Sequence, residues 1–227
     1  VILYLNGDFT GTGTNNITTN ATSSVQPLLE IGAASRTFNV LNGTTTLGVI
    51  VSGAGGSLVK AGAGLLQVTA ANSYSGTTTI SGGTFSVAGT LGALTSTTAL
   101  IVNHGGILQD GSSTTANNNS VANRINTAAT LTLGDASGGG TFTLMSAAAG
   151  SHTQSLAGLT ISGGANTVNV TVAASTTATL TFTAASPYVR TVGSVNFIQN
   201  PAVGGSIVFT NAPTGAGNVT GGLLVGA

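Results

Sequence analysis

Short runs of β-branched and aliphatic residues alternate along the chain with clusters of Gly, Asn, Ser and Asp. The runs Val1–Leu5, Thr37–Leu41, Leu47–Val51, Leu65–Thr69, Thr77–Ile80, Thr84–Val87 and Leu100–Val102 predict strands in the first half. Thr130–Leu133, Thr141–Leu144, Leu159–Ile161, Thr167–Val172, Thr179–Thr183, Ser194–Ile198 and Ser206–Thr210 continue the pattern. Asn6-Gly7, Asn42-Gly43, Gly82-Gly83, Asp110-Gly111 and Gly138-Gly139-Gly140 supply the turns between them. No apolar i, i+3, i+4 stripe persists for three turns, so no helix is predicted. The pattern is that of an all-β chain.

The spacing of the strand centres suits either an antiparallel β-sandwich or the faces of a β-solenoid. Composition favours the solenoid. A sandwich core draws on aromatic and large aliphatic residues, and this chain has seven Phe, three Tyr and no Trp among 227 residues, with 35 Gly. Stacked coils instead repeat small and β-branched residues with Gly at the corners. We therefore expect residues 1–227 to form a single elongated β-solenoid.

Charge narrows the function classes. The chain has four Lys+Arg, four Asp+Glu and a formal net charge of zero, too few cations for a phosphate backbone or an anionic membrane surface. Mean hydropathy is +0.43, yet no apolar run approaches the roughly 18 to 20 residues of a spanning helix. Cysteine is absent, so neither disulfides nor thiolate metal sites are expected. The chain opens on Val1 with no basic or apolar leader and reads as a mature or excised segment.

Residues 56–87, GSLVKAGAGLLQVTAANSYSGTTTISGGTFSV, carry a more specific signal. Leu58, Lys60, Gly62, Gly64, Leu66 and Val68, then Asn72, Tyr74, Ser75, Gly76, Thr78, Ile80, Gly83, Thr84, Phe85 and Val87, resemble the autotransporter-associated β-strand repeat, also called the passenger-associated transport repeat, of bacterial surface proteins. The segment departs from that pattern in having one Gly after Tyr74-Ser75 where two are common. Weaker likeness extends through 99–111 and 190–227. The resemblance implies a right-handed parallel β-helix at the cell surface or beyond it. Within the motif, Leu58, Leu66, Val68, Ile80, Phe85 and Val87 alternate inward. Gly62, Gly64, Gly76 and Gly82 are expected to supply positive-φ corners. Asn72 is expected to bond nearby backbone at a corner, and Tyr74 to cover the end of a strand or the side of the core.

Any enzyme must use Asp8, Glu30, Asp110 or Asp135. Asp110 and Asp135 lie about one coil apart and could stack for paired acid and base work, but each adjoins a Gly and reads more simply as a turn residue. His104 and His152 also sit beside Gly, without a second ligand at metal spacing. Arg36, Arg124 and Arg190 read as isolated surface or inter-subunit donors. Lys60 reads as a solvated or snorkelling side chain in preference to an isopeptide partner. The sequons at Asn16, Asn20, Asn42, Asn118, Asn169 and Asn218 are expected from the abundance of Asn, Ser and Thr alone. Thr-rich runs at 44–46 and 77–79 lack the strict repeat of an ice-binding face. No catalytic, cofactor-binding or metal site is expected.

The ends point to assembly. Val1, Ile2, Leu3, Tyr4 and Leu5 form an apolar strand-like opening, and Leu223, Leu224 and Val225 close the chain within 221–227. Terminal strands of this kind could pair with a second copy, head to tail, or with adjoining repeats of a longer chain. The sequence thus predicts a non-enzymatic, extracellular or surface structural subunit of a filament or stalk, self-assembling through β-strand contacts. An autotransporter-type adhesin passenger rod is the alternative, and a polysaccharide-cleaving β-helix the third reading.

Overall fold

A computed structural model describes residues 1–18, 26–111, 121–146, 150–172, 176–199 and 204–211. The strands run β1 (Ile2–Tyr4), β2 (Phe9–Gly11), β3 (Thr14–Ile17), β4 (Leu28–Glu30), β5 (Ser35–Val40), β6 (Thr44–Leu47), β7 (Ile50–Ser52) and β8 (Ser57–Ala61). They continue with β9 (Leu65–Val68), β10 (Ala71–Asn72), β11 (Thr77–Ile80), β12 (Thr84–Val87), β13 (Ala93–Leu94), β14 (Ala99–Val102), β15 (Ile107–Asp110) and β16 (Thr130–Leu133). The last are β17 (Thr141–Ser146), β18 (His152–Leu156), β19 (Gly158–Ile161), β20 (Ala165–Val172), β21 (Ala178–Phe182), β22 (Tyr188–Arg190), β23 (Ser194–Ile198) and β24 (Gly205–Phe209).

The chain forms a parallel β-solenoid of about seven turns, with no helix among the described residues. Two faces are continuous eight-stranded sheets, β2-β5-β8-β11-β14-β16-β19-β22 and β3-β6-β9-β12-β15-β17-β20-β23. The third is divided into β1-β4-β7, β10-β13 and β18-β21-β24. Eight rungs at the usual strand spacing rise about 34 Å.

Register explains how the sequence fills the interior. On the first face one inward column runs Phe9, Phe38, Lys60, Ile80, Val102, Leu133 and Ile161. On the second, Thr45, Leu66, Phe85, Leu108, Phe142, Val168 and Phe197 follow one another. The six apolar residues assigned inward from the repeat are all fully buried, each contributing about 1.5–3 kcal/mol of transfer free energy. Phe182, Phe197, Phe209 and Tyr188 pack together in the last coils, Phe182 and Phe209 stacking at 5.1 Å.

Two local expectations are corrected. Leu47–Val51 is not one strand: β6 ends at Leu47, and the chain turns a corner at Gly48 and Val49 before β7. Of the four glycines assigned to positive φ, only Gly62 has it, at 76°, whereas Gly83 at 60° carries the next corner. Gly64 and Gly76 are needed for close approach instead: a Cβ would meet Val40 Cγ1 at 2.7 Å at the first and overlap the Gly56 carbonyl at the second. A Cβ at Gly82 would meet nothing closer than 3.5 Å, so neither reason applies there.

Candidate functional site

The region of the repeat is where the sequence signal and the interior polar chemistry coincide. β8, β9, β11 and β12 are middle rungs of both continuous sheets, and three polar side chains of the motif tie their coils together from inside. Asn72 stands where the third face divides. Its Oδ1 accepts from the Val51 N–H at 2.8 Å, and its Nδ2 donates to Ala70 O at 2.9 Å and Ala93 O at 3.1 Å. The amide replaces the backbone group that a regular ladder would place there, linking three successive coils. Tyr74 is buried in the side of the core, its hydroxyl 2.7 Å from Thr78 Oγ1, which is in turn 3.1 Å from Thr97 Oγ1.

Lys60 is neither solvated nor snorkelling. It is 0% exposed in an otherwise largely apolar column, and Nζ donates to the carbonyls of Ala61 at 2.8 Å, Gly62 at 2.7 Å and Gly82 at 3.1 Å. The ammonium therefore closes a corner of its own coil and binds it to the next. Burial pulls its pKa down to about 8. Between that value and the unfolded value near 10.4 the unfolded chain binds more protons, so stability rises with pH across the interval. Lys60→Met is expected to lose about 2–4 kcal/mol at pH 7 by stranding buried acceptors. It should also abolish the gain between pH 8 and 9.5, a window read by urea unfolding that stays below the opposing titration of Tyr74, whose hydroxyl burial pushes up.

The two carboxylates considered for catalysis do not come together. Asp110 ends β15 facing inward, fully buried, and is not a turn residue. Asp135 lies on an exposed corner, where Oδ2 receives Asn103 Nδ2 at 2.9 Å and contacts His104 Nε2 at 2.9 Å. Its Oδ1 accepts from the Ser137 and Gly138 N–H groups. The Ser137 bond is the main reason the Asp135 carboxyl lies below its ordinary value; His104 and Gly138 add to this. His104 is a turn residue as expected, with φ at 51°. Arg124 is not a surface residue, and His152 opens β18 and is not a turn residue: both are fully buried near Asp110.

Sequence reasoning missed two more amides that work as Asn72 does. Gln154 exchanges both bonds with the backbone of Ile125, accepting at 3.0 Å and donating at 2.9 Å. Asn166 accepts from Gly140 N–H at 2.9 Å and donates to Gly163 O and Ser194 O. Among the described residues no group of three or more His, Cys, Asp or Glu is placed to hold a metal ion.

At the N-terminal end, among the described residues, β1, β2 and β3 each pair on one side only, with β4, β5 and β6. Val1, Ile2, Leu3 and Tyr4 are exposed, whereas Leu5 packs against the core. Leu223, Leu224 and Val225 lie outside the described residues.

Comparison with known proteins agrees with this placement. The profile of the family described as Passenger-associated-transport-repeat matches residues 58–87. The chain carries a passenger-associated transport repeat. It is also 44% identical over 59 residues to the adhesin BmaC autotransporter of Brucella suis biovar 1 (strain 1330), a match covering 26% of this chain and 2% of that protein. The chain thus spans a small fraction of the length of the curated relative it matches. No solved structure matches it significantly. In the structure the passenger repeat runs from β8 through β12, so it is an integral part of the stack and not a decoration on it.

Proposed function

We propose that this chain is a section of the surface-displayed passenger of an adhesin-like autotransporter, acting as a non-enzymatic rod. The observation that carries this reading is the position of the passenger repeat, which supplies the third and fourth of the eight rungs of both continuous sheets. Unbroken parallel ladders and interior amide and ammonium bonds make the rod stiff, and its charged side chains lie inside or at corners and ends, leaving the outward sheet faces neutral. The test is display: the chain replaces the native passenger of an autotransporter, and intact cells are treated with trypsin. Surface exposure predicts cleavage that spares Lys60 and Arg124, both buried, and reaches the exposed Arg190. Retention of the chain inside the cell envelope overturns the reading.

A second reading is favoured by the exposed β1 and its free edge. Pairing of that edge with another copy would build an extracellular filament by strand addition, whereas in a stalk the same edge meets an adjoining coil of a longer chain. Negative-stain microscopy separates them: filaments that vanish when residues 1–5 are deleted support self-assembly, and isolated rods support the stalk.

A further inference from the structure

Asp110 interrupts an inward column that otherwise reads Ile17, Leu47, Val68, Val87, Leu144 and Val170. A carboxylate in aliphatic surroundings requires compensation. It comes from two other elements: Arg124, from the segment between β15 and β16, places Nε 3.9 Å from Asp110 Oδ1, and His152, at the start of β18, places Nε2 3.3 Å from the same oxygen. All three residues are 0% exposed. The outer ends of both cations are anchored on backbone, Arg124 Nη1 donating to Gly92 O at 2.7 Å and His152 Nδ1 contacting Met145 O at 2.8 Å. Neither Asp110 oxygen has a hydrogen bond of ordinary geometry, so the carboxylate depends on the charge of these two neighbours.

We propose that Asp110, Arg124 and His152 form a proton-operated latch in the solenoid core, closed when His152 is protonated and loosened when it is neutral. The latch joins β15, the Arg124 segment and β18, the region where the coils lengthen. Nothing else charged faces His152: Gly111 follows Asp110, β17 contributes Met145 and Ser146, and β21 contributes Ala178. Residues 112–120 and 147–149 contain no Asp, Glu, Lys, Arg or His. Burial draws the imidazole down, but the Asp110 charge, with help from Met145 O, outweighs burial and the opposing Arg124, leaving it above its ordinary value. A group raised on folding stabilises fully below its unfolded value near 6.5 and loses that contribution as pH rises through the folded value. This device is independent of where the protein is displayed.

The chain has only two histidines, and His104 is exposed, so ring-proton NMR of the intact chain, with His104→Gln for assignment, follows His152 directly. His152 is expected to titrate above the ordinary imidazole range and to fall below it in Asp110→Asn. The melting temperature of the wild type should drop by about 3 °C or more between pH 5.5 and 7.5, a window below the titration of Lys60, and His152→Gln should remove that drop. A wild-type His152 that titrates at or below the ordinary range overturns the latch, as does a pH-dependent drop that survives in His152→Gln. If that variant fails to fold, the wild-type titration decides.

Discussion

Asn72→Leu is expected to lower the unfolding free energy by about 3–5 kcal/mol. The substitution keeps the volume and apolar contacts of an inward position but strands the Val51 N–H and the Ala70 and Ala93 carbonyls, all now bonded to the amide. A buried polar group left without its partner costs about 1–3 kcal/mol, and replacing amide by isobutyl recovers part of the sum through apolar burial. Hydrogen exchange gives the sharper reading: protection should collapse at Val51 and Ser73, whose N–H groups hold β7 to β10, before it falls in β9 or β12. Uniform loss along the stack, or less than about 1 kcal/mol in urea unfolding, would sink the view that this amide substitutes for backbone.

The second large effect is expected at Gly62. Its φ of 76° lies in the left-handed region, and a Cβ would overlap the Val40 carbonyl and come 2.7 Å from Asn39 Oδ1. Both neighbours belong to the coil below, and although the Asn39 amide is a side-chain end, the Val40 carbonyl is backbone that cannot swing aside. Gly62→Val combines backbone strain with overpacking and should cost about 4 kcal/mol. It also displaces the carbonyl that Lys60 holds. Gly7→Ala is the control, since Gly7 lacks a positive φ and its Cβ would meet nothing within 4 Å; its melting temperature should match that of the wild type, whereas Gly62→Val should melt well below it.

Much of the fold was legible because alternation and turn residues agree. Thr77–Ile80, Thr84–Val87, Thr130–Leu133 and Ser194–Ile198 form strands with the predicted bounds, and the inward set Leu58, Leu66, Val68, Ile80, Phe85 and Val87 is buried. Gly48 and Val49 escaped notice as a corner because Leu47–Val51 is apolar on both parities of the strand. The interior polar residues were misread, or in the case of Gln154 missed, for a different reason. Lys60, Asp110 and Gln154 share the parity of buried neighbours, Leu58, Leu108 and Leu156, and parity alone places them inside. Residue type argued the other way, since charged and amide side chains are rarely buried without partners. The distant partners among them, Gly82 O for Lys60, Arg124 and His152 for Asp110 and Ile125 O for Gln154, lie 14 to 42 residues away in sequence, and no local pattern reveals them. Asp110 beside Gly111 and His152 near Gly150 look like turn chemistry locally but act as core residues.

The divided third face gives the coil a means of changing circumference. Around the repeat, successive rungs lie 22 and 20 residues apart, from Phe38 to Lys60 to Ile80, and later they lie 31 and 28 apart, from Val102 to Leu133 to Ile161. The two continuous sheets pass through this change without losing register. Much of the added length falls between β15 and β16, in the coils that the Gln154 amide splices to the Ile125 backbone. The divided face behaves as an expansion joint: it takes up added residues while the other two keep their register, so the coil varies its girth without breaking either continuous sheet.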